Sequence, residues 1–417
     1  MINIPKGTKD MLPNDSYKWQ KVREVVQSLA RKYNLHEIST PVFESTELFV
    51  RSDGESSDIV NKEMYTFNDK GGRSLTLKPE GTAGVVRSFI ENGLGELLPA
   101  KLFYISPCYR YEKPQAGRLR EHHQFGCEIF GANSLASDVE AVLIAYDFYK
   151  AFGINPVIHV NFLGCPECKS NFKDTLKNFV SPKLDDMCPD CHKRYETNPL
   201  RILDCKSPVC KEILTSSPKI TDNLCPKCQD KFNEFKKMLN SFGINYVVDP
   251  KLVRGLDYYT DLAFEFVDED KTLGQNALGG GGRYDNLVAE LGGKSTPVVG
   301  FGIGIERILL YLESKGIEIE NPRKLDVYVA SNTEDENYVI KFVKSLRDKG
   351  FAVESDLMAR SLKSQFKYAD KIGAKFVITI GDDEINENKV SIKNMETGEQ
   401  IKVWSNDADD YLREYVK

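Results

Sequence analysis

The sequence predicts an α+β fold with a largely antiparallel sheet, a cysteine-rich insertion and a C-terminal α/β unit. Strand-like apolar runs follow one another in the N-terminal part with few helical patterns between them, which is typical of antiparallel sheets. Eight of the ten cysteines lie between Cys165 and Cys228. From about Leu325 onward, strand and helix patterns alternate, which indicates a compact α/β unit.

Composition and charge exclude several classes of protein. The 417 residues suggest two or three domains at roughly 150 residues each. A chain with 41% hydrophobic and 28% charged residues is neither disordered nor fibrous. No apolar run approaches the roughly 20 residues of a membrane span, and the N-terminus lacks a signal-peptide core, so we expect a cytosolic protein. A net charge of −6 argues against a uniformly basic nucleic-acid binder but allows local basic surfaces.

The N-terminal part begins with an amphipathic helix and continues with strands. Apolar residues at helical spacing mark the helix: Val22, Val25, Val26, Leu29 and Tyr33. Strands are expected at residues 74–77, 101–106, 123–130, 156–160 and 262–267.

The cysteine-rich insertion has the spacing of a zinc domain. Three C-x-x-C pairs and one C-x4-C pair supply eight candidate ligands: Cys165, Cys168, Cys188, Cys191, Cys205, Cys210, Cys225 and Cys228. Two such pairs complete one tetrahedral four-sulfur site, so two structural zinc sites are expected. The first two pairs match a known sequential template, which favours pairing in chain order and leaves crossed pairing open. Metal-free relics are the alternative interpretation.

The C-terminal unit combines three expected strands, at residues 325–330, 351–354 and 376–380, with helices. The first helix spans residues 336–349, and the second carries Leu362, Phe366, Ala369 and Ile372 on its apolar face. Cations recur on the second helix at spacings of three and four: Arg360, Lys363, Lys367, Lys371 and Lys375. This stripe is either a solvated face or a phosphate-contacting surface.

No P-loop is present in the sequence, so side chains and a sheet would have to hold any bound nucleotide. The segment with the most candidate side chains is a hairpin at residues 109–128. Strand alternation puts Arg110 and Glu112 on one face, and it groups three further polar residues in the same way: His122, Gln124 and Glu128. Arg118 and Arg120 lie on or beside the intervening Pro/Gly loop. Cations and acceptors on one sheet face suit a ligand with phosphates and a base, although a surface salt-bridge ladder would give similar spacing.

Five segments carry a family resemblance that covers nearly the whole chain. The hairpin resembles motif 2 of the class II aminoacyl-tRNA synthetases, residues 300–307 resemble motif 3, and residues 38–44 resemble the dimer-interface motif 1. Residues 252–259 and 280–285 resemble the two histidine-specific motifs of the histidyl-tRNA synthetase family. The resemblance implies a class II catalytic core at 1–162 and 246–322, the zinc-type insertion at 163–245 and an anticodon-binding domain at 325–417.

The resemblance also implies an activity and its ATP site. Histidine and ATP, with Mg²⁺, would give histidyl-adenylate and pyrophosphate, and the histidyl group would pass to the 3′ end of histidine tRNA. Arg110 would hold the α-phosphate, Glu112 the adenine amino group, Arg118 the outer phosphates and Arg307 the γ-phosphate. Arg254 would bridge the substrate carboxylate and the α-phosphate, so that Arg254 and Arg110 are the expected catalytic residues.

Histidine selection and the remaining contacts follow from the same resemblance. Glu128 and Tyr259 would bind the imidazole nitrogens, whereas the α-amino group would be held by Glu80, Thr82 and Gln124. Tyr258 and the turn at 280–285 would complete the pocket wall. His122 stands where relatives usually stack an aromatic residue on adenine.

Two partners are implied besides the small substrates. Motif 1 implies a homodimer, and the cationic helix implies tRNA contacts by Arg360, Lys363, Lys367 and Lys371. Our hypothesis for the insertion is that its metal folds it and that it then touches the tRNA acceptor arm. An alternative function is the catalytically inactive, synthetase-like regulatory subunit of ATP phosphoribosyltransferase, a family that lacks the C-terminal domain. Here that domain is expected, and Arg110, Glu112, Arg254 and Arg307 are all present.

Overall fold

The chain divides into two units, Met1–Ile319 and Glu320–Lys417, each with its own hydrophobic core. The computed structural model describes residues 2–54, 57–256, 258–270, 277–322 and 324–415. Asp257 of the first histidine-specific segment lies outside the described residues. Among the described helices, none has the length and apolar character needed to cross a membrane.

The first unit is built on an eight-stranded sheet and a small three-stranded sheet. Their strands in chain order are β1 (His36–Glu37), β2 (Phe43–Ser45), β3 (Tyr65–Asn68), β4 (Ser74–Leu77), β5 (Ala100–Tyr109), β6 (Glu121–Phe130), β7 (Val157–Phe162), β8 (Tyr246–Val248), β9 (Leu262–Val267), β10 (Ala277–Arg283) and β11 (Val298–Gly304). The large sheet has the order β1-β5-β6-β11-β10-β9-β7-β8, and the small one β2-β4-β3. All described pairs in the large sheet are antiparallel except β1–β5 and β7–β8 at its edges, which confirms the predicted antiparallel core.

Alternation along β6 separates the core from the functional face. Phe125, Cys127 and Ile129 are fully or almost fully buried in the main core of the first unit. The intervening side chains therefore point to the opposite face of the sheet, where Gln124 and Glu128 lie. The residues expected to bind substrate thus share one face of a central strand.

The described α-helices of the first unit are α1 (Pro13–Tyr33), α2 (Thr46–Asp53), α3 (Thr82–Glu91), α4 (Leu135–Ala151), α5 (Pro166–Val180), α6 (Pro189–Thr197), α7 (Pro208–Ile213), α8 (Pro226–Ser241), α9 (Leu287–Glu290) and α10 (Ile305–Ser314). The predicted apolar face of α1 is confirmed, since Val22, Val25, Val26 and Leu29 are buried. α1 and α4 pack together in the core that covers the back of the large sheet.

The insertion comprises α5 to α8 and short 3-10 turns between them. Three of these helices begin directly after a cysteine that is followed by proline, with Cys165, Cys188 and Cys225 as N-caps. Proline suits the first helical position because its missing N–H would have no partner there. Apolar side chains of the insertion, such as Leu200 and Leu203, join a hydrophobic cluster that also contains Tyr258 and Tyr259. The insertion is therefore packed against the rest of the first unit.

The second unit is a five-stranded sheet flanked by helices. Its strands are β12 (Val327–Ser331), β13 (Val353–Ser355), β14 (Phe376–Ile380), β15 (Lys389–Asn394) and β16 (Gln400–Trp404), and its helices are α11 (Glu336–Asp348), α12 (Leu362–Lys371), α13 (Asp382–Glu387) and α14 (Ala408–Tyr415). The order is β13-β12-β14-β15-β16, parallel over the first three strands and antiparallel thereafter. The predicted α/β alternation is confirmed, and the two antiparallel strands and the last two helices are additions to the prediction.

The cationic stripe of the second unit is shorter than predicted. Arg360 precedes α12 and forms an ion pair with Asp356, with an Nη1–Oδ1 distance of 2.9 Å. Lys375 follows the helix and lies 3.5 Å from an Asp326 carboxylate oxygen. The prediction of five cations on one helix face was wrong because the helix is limited to residues 362–371. Its exposed face carries three of them: Lys363, Lys367 and Lys371.

Candidate active site

A cleft of about 1060 Å³ collects most of the predicted ATP site. Its walls come from the residues around the motif 2 loop, from β10 and β11, and from the insertion. Seven predicted site residues line it: Arg110, Glu112, Arg118, His122, Gln124, Arg254 and Arg307. A smaller cavity of about 200 Å³ is lined by both Arg254 and Tyr259 and is also bordered by the insertion. The sequence prediction that these distant segments meet is consistent with this geometry.

Motif 2 supplies two cations to the cleft. β5 ends at Tyr109, so Arg110 and Glu112 lie in the loop and not on a strand as the alternation argument required. That prediction of strand geometry was wrong, although both side chains line the same cleft. Arg110 Nε donates to the Pro79 carbonyl at 2.8 Å, and Arg118 Nε lies 2.5 Å from Glu112 Oε2. Both guanidinium groups are thus positioned before any ligand binds.

Arg307 lies in the first turn of α10, directly after β11, so residues 300–307 run from a strand into a helix. Its guanidinium donates to the Ala277 carbonyl and, at 3.3 Å, to the Gly117 carbonyl in the motif 2 loop. Burial and the nearby Arg118 lower the pKa of Arg307. An anionic ligand would offset both the loss of hydration of the buried guanidinium and its repulsion by the second cation, so this position favours an anion.

Arg254 is held by an acidic partner that the sequence did not single out. Its guanidinium forms an ion pair with Glu265 on β9. Gly280 on the neighbouring strand permits this arrangement, because a Cβ at that position would lie 2.7 Å from Arg254 Nη1 and 2.6 Å from the Phe264 carbonyl oxygen. Residues 280–283 belong to β10, so the turn predicted over 280–285 begins only after Arg283.

Glu128 is a completely buried carboxylate with one oxygen unused. Its Oε1 accepts hydrogen bonds from Thr82 Oγ1 at 2.8 Å and from Tyr104 OH at 3.1 Å. Its Oε2 is buried and has no hydrogen-bond partner among the described residues. Burial raises the pKa of Glu128 well above its usual value. An orphaned buried acceptor is costly unless a ligand satisfies it, so Oε2 marks a ligand-binding position.

Polar groups around Glu128 are fixed by the start of α3 and by β11. Glu80 accepts the backbone N–H groups of Thr82 at 2.7 Å and Ala83 at 2.6 Å. Gln124 Oε1 accepts the Gly81 N–H at 3.1 Å. A Cβ on Gly302 would lie 1.9 Å from Gln124 Nε2, so glycine is required there for the amide to lie flat on the sheet.

Three tyrosines form one wall next to these groups. The ring centroids of Tyr258 and Tyr259 are 4.9 Å apart, and Tyr284 lies 5.1 Å and 5.9 Å from them. Tyr258 and Tyr259 are almost completely buried. Tyr284, whose buried hydroxyl has no partner among the described residues, was given no role of its own from the sequence.

His122 is neutral in the folded protein. Burial, reinforced by Arg110, His123, Arg307 and Arg118, lowers the pKa of its imidazole to about 3. The ring therefore offers a neutral aromatic surface throughout the physiological pH range.

Replacement of His122 by phenylalanine should make the fold less sensitive to acid. Below pH 6.5 the unfolded chain binds a proton at His122, whereas the folded chain does so only near pH 3, so the native imidazole costs stability as the pH falls. The free energy of unfolding would be measured by denaturant titration at pH 6, 5 and 4. Its fall with decreasing pH should be less steep in His122→Phe than in wild type, by up to about 1.4 kcal/mol per pH unit. His36→Phe is the control, because the exposed His36 side chain is solvated in both states. Equal slopes for wild type and His122→Phe would contradict the assignment.

Comparisons with known proteins place this site in a family. A family model described as "Histidyl-tRNA synthetase" matches residues 7–166 and 211–308, which is more than half of the chain. The chain is 52% identical over 406 residues to the histidine–tRNA ligase of Caldanaerobacter subterraneus subsp. tengcongensis, with 97% of each chain covered. This chain belongs to the histidyl-tRNA synthetase family.

Further comparisons extend this to the full length of the chain. The histidine–tRNA ligase of Clostridium novyi is 48% identical, with 100% of both chains covered. The crystal structure of apo histidyl-tRNA synthetase from S. aureus superposes with a TM-score of 0.85 at 38% identity and covers 99% of this chain and 100% of that one. A model of an anticodon-binding domain matches residues 326–415. The class II synthetase fold with a C-terminal anticodon-binding domain is therefore confirmed.

The insertion of this family member carries two four-cysteine clusters. One comprises Cys165, Cys168, Cys225 and Cys228, and the other Cys188, Cys191, Cys205 and Cys210; the sulfur atoms within each lie within 4.8 Å of one another. The favoured pairing in chain order was wrong. The first and last pairs lie at the starts of α5 and α8, which hydrogen bonds between the two pairs bring together. Along the chain, the second cluster therefore lies between the two halves of the first.

Local geometry in both clusters suits a metal ion. Backbone N–H groups point at cysteine sulfurs, as in the contacts of Cys225 N to Cys168 Sγ at 3.1 Å and Cys188 N to Cys210 Sγ at 3.3 Å. Four sulfurs at this separation surround a tetrahedral position, and donors to the sulfurs stabilise thiolates. Residues 167–210, which contain five of the eight cysteines, lie in the gap between the two segments matched by the family model.

Proposed function

We propose that the chain is a histidine–tRNA ligase. It would activate histidine with ATP to give histidyl-adenylate and pyrophosphate, and then transfer the histidyl group to the 3′ end of histidine tRNA. The observation that carries the proposal is the orphaned Glu128 carboxylate oxygen, on the same face of β6 as Gln124, which lines a cleft together with four arginines. Its relatives of 52% and 48% identity, both named histidine–tRNA ligases, support it over the full length.

ATP would occupy the cationic cleft. Arg110 binds the α-phosphate in this proposal, Arg118 and Arg307 bind the outer phosphates, and Glu112 accepts the adenine amino group. His122 offers a neutral ring for stacking on the adenine. Glu265 and Glu306 line the cleft and would hold the Mg²⁺ that accompanies ATP. Attack on the α-phosphorus is in-line displacement, so the protein's contribution is positioning and charge stabilisation.

Arg254 would stabilise the charge that develops during that displacement. Its guanidinium lines both the main cleft and the smaller cavity that reaches Tyr259. In this proposal it lies between the ATP site and the histidine site. A fixed cation at this junction can contact the carboxylate of histidine and the α-phosphate together, and its geometry is set in advance by Glu265.

Histidine would be selected by buried polar groups. Glu128 Oε2 accepts one imidazole N–H, and Tyr259 bonds the other ring nitrogen. Glu80, Thr82 and Gln124 bind the α-amino group, and Tyr258 closes the wall. An apolar amino acid of similar size would leave Glu128 unpaired in the protein interior, which is the basis of strong rejection.

The reaction is tested by charging a histidine tRNA transcript with labelled histidine and ATP. Charging of this transcript, with none of a transcript for another amino acid, would support the proposal. An inactive regulatory paralogue of ATP phosphoribosyltransferase would charge neither transcript. The described α/β unit and the match to an anticodon-binding domain at residues 326–415 favour the ligase over that alternative.

We further infer a homodimer in the cytoplasm. The motif 1 segment exposes apolar side chains, with Val42 at 38% and Phe43 at 52% of their full accessible area. A partner surface would remove these from water. Phe43 lies on β2, an outer strand of the small sheet, so pairing between copies would also cover a sheet edge.

Each cysteine cluster would hold one structural Zn²⁺, giving two ions per chain. Metal analysis should find two equivalents of zinc, and removal by a chelator should lower the unfolding temperature and the affinity for histidine tRNA, because the metal ions would join the short helices of the insertion. Thermal unfolding and tRNA titration before and after chelation measure both effects. Loss of zinc with unchanged stability and unchanged tRNA affinity would contradict a structural role and the contact with the acceptor arm.

The exposed face of α12 would bind tRNA phosphates through Lys363, Lys367 and Lys371, with Arg360 beside them. Replacing the three lysines by glutamine should weaken tRNA binding and make it less dependent on salt, by roughly one unit of the log–log slope for each phosphate that a lysine no longer neutralises. Filter binding over a range of salt concentrations measures both. Glutamine at Lys341 and Lys344 of α11 is the control. An unchanged salt slope would mean that the α12 face is only solvated.

A further inference from the structure

The insertion contributes two lysines to the active-site cleft that have no role in the reaction as proposed above. Lys206 and Lys211 line the same cavity as Arg118 and Arg307. They lie on one segment of the insertion, residues 203–215, of which Leu203, Asp204, Cys205, Leu214 and Thr215 also line the cavity. The cleft is therefore walled by the insertion as well as by the synthetase core.

These two ammonium groups differ from the neighbouring arginines in their partners. Arg118 is 2.5 Å from Glu112, and Arg254 is paired with Glu265. Neither Lys206 nor Lys211 forms a side-chain hydrogen bond or an ion pair within the described part of the chain. Their charge is thus uncompensated before a ligand binds. A polyphosphate has several anionic oxygens and can bind more cations than the three arginines assigned to it, one of which is already paired with Glu112.

The segment that carries the lysines is held in position at both ends. Cys205 and Cys210, the immediate neighbours of the two lysines, belong to the second cysteine cluster. The insertion is also fixed to the core, since Asp58 accepts Arg194 at 3.3 Å and Arg201 at 3.2 Å. A third contact joins Lys169 Nζ to the Tyr259 carbonyl at 2.7 Å. These attachments keep the lysines over the cleft.

We propose that Lys206 and Lys211 bind the polyphosphate of ATP from the insertion, and that the second cysteine cluster positions them for this. The inference rests on the proposed function, because it assigns ATP to the cleft. Negative charge accumulates on the departing pyrophosphate during adenylate formation, and flexible lysine side chains follow these oxygens as point charges. The insertion is then part of the ATP site in addition to any contact with tRNA.

The test uses the full-length protein with Lys206→Gln and Lys211→Gln combined. The KM for ATP in histidine-dependent pyrophosphate exchange should rise roughly tenfold, while the KM for histidine stays unchanged. Lys193→Gln with Lys219→Gln is the matched control, because both lysines are exposed on the insertion and neither lines the cleft. Unfolding temperature and metal content should be the same in both variants. Lys206→Arg combined with Lys211→Arg should retain most of the ATP affinity.

Three results would overturn the proposal. The first is an unchanged KM for ATP, and the second is an equal rise in the control. The third is a rise only in the KM for tRNA, measured in the tRNA charging assay, which would assign the lysines to the tRNA acceptor end. Titration of wild type and the double variant with a non-hydrolysable ATP analogue measures triphosphate binding without catalysis, so it tests the lysines independently of the ligase function. Wild-type protein without histidine-dependent exchange would refute the ligase function, whereas the titration would still decide whether the lysines bind the triphosphate.

Discussion

Replacing Arg254 by alanine is expected to lower the maximal rate of histidine-dependent pyrophosphate exchange by about 10³-fold or more. Histidine binding should weaken by less than roughly tenfold, because the guanidinium acts mainly on charge that develops at the α-phosphorus. The rate is measured by exchange at saturating substrates and the binding by titration with histidine alone. An equal collapse of histidine binding would show that Arg254 acts mainly on the bound ground state.

Glu265 provides the control for this experiment. In Arg254→Ala the Glu265 carboxylate loses its cation and would repel the anionic substrates, which could lower the rate by itself. The double variant with Glu265→Gln removes that charge. Arg254→Ala should lower the exchange rate by the same factor in the Glu265→Gln background as in the wild-type background. Recovery in the double variant would assign the loss to Glu265 and contradict direct stabilisation by Arg254.

Replacing Glu128 by glutamine is expected to raise the KM for histidine on the order of a hundredfold while the KM for ATP stays unchanged. The unused Oε2 is the reason. Glutamine keeps one accepting oxygen and replaces the other by an NH2 group, which donates hydrogen bonds and cannot accept one from the imidazole N–H. Stability should not fall, because burial already raises the pKa of Glu128 and the substitution removes a costly buried acid. Exchange kinetics and thermal unfolding measure the two effects.

Tyr104→Phe is the matched control for Glu128. It removes a hydrogen bond of 3.1 Å to Glu128 Oε1 and leaves Oε2 untouched. We expect the KM for histidine to rise by less than about tenfold in this variant. If Tyr104→Phe and Glu128→Gln raised the KM equally, the effect would come from disturbance of the buried carboxylate and not from a contact with the imidazole.

The parts of the fold that the sequence predicted are those decided by local patterns. Alternation in β6 separates Phe125, Cys127 and Ile129 from Gln124 and Glu128 because side-chain direction in a strand depends only on position along it. The predicted apolar face of α1 was confirmed for the same kind of reason, since a helix repeats every 3.6 residues. Motif resemblance then supplied the roles that patterning alone could not provide.

The features that sequence reasoning missed depend on contacts between distant segments. The nested cysteine clusters arise because α5 and α8 begin side by side, and spacing along the chain does not record this. The Arg254–Glu265 pair requires the position of β9 relative to residues 252–256. Lys206 and Lys211 resemble ordinary surface lysines in the sequence, and only the folded insertion brings them to the cleft. The only sequence signal for them was their position next to Cys205 and Cys210.

The central claim is that this cleft activates histidine, and amino-acid-dependent pyrophosphate exchange tests it most directly. Purified full-length protein with zinc present would be assayed with ATP, Mg²⁺ and labelled pyrophosphate, with each of the common amino acids in turn. We predict exchange that depends on histidine and is lost in Arg254→Ala. Folded, zinc-replete protein that shows no exchange with histidine, or exchange with another amino acid in its place, would contradict the account.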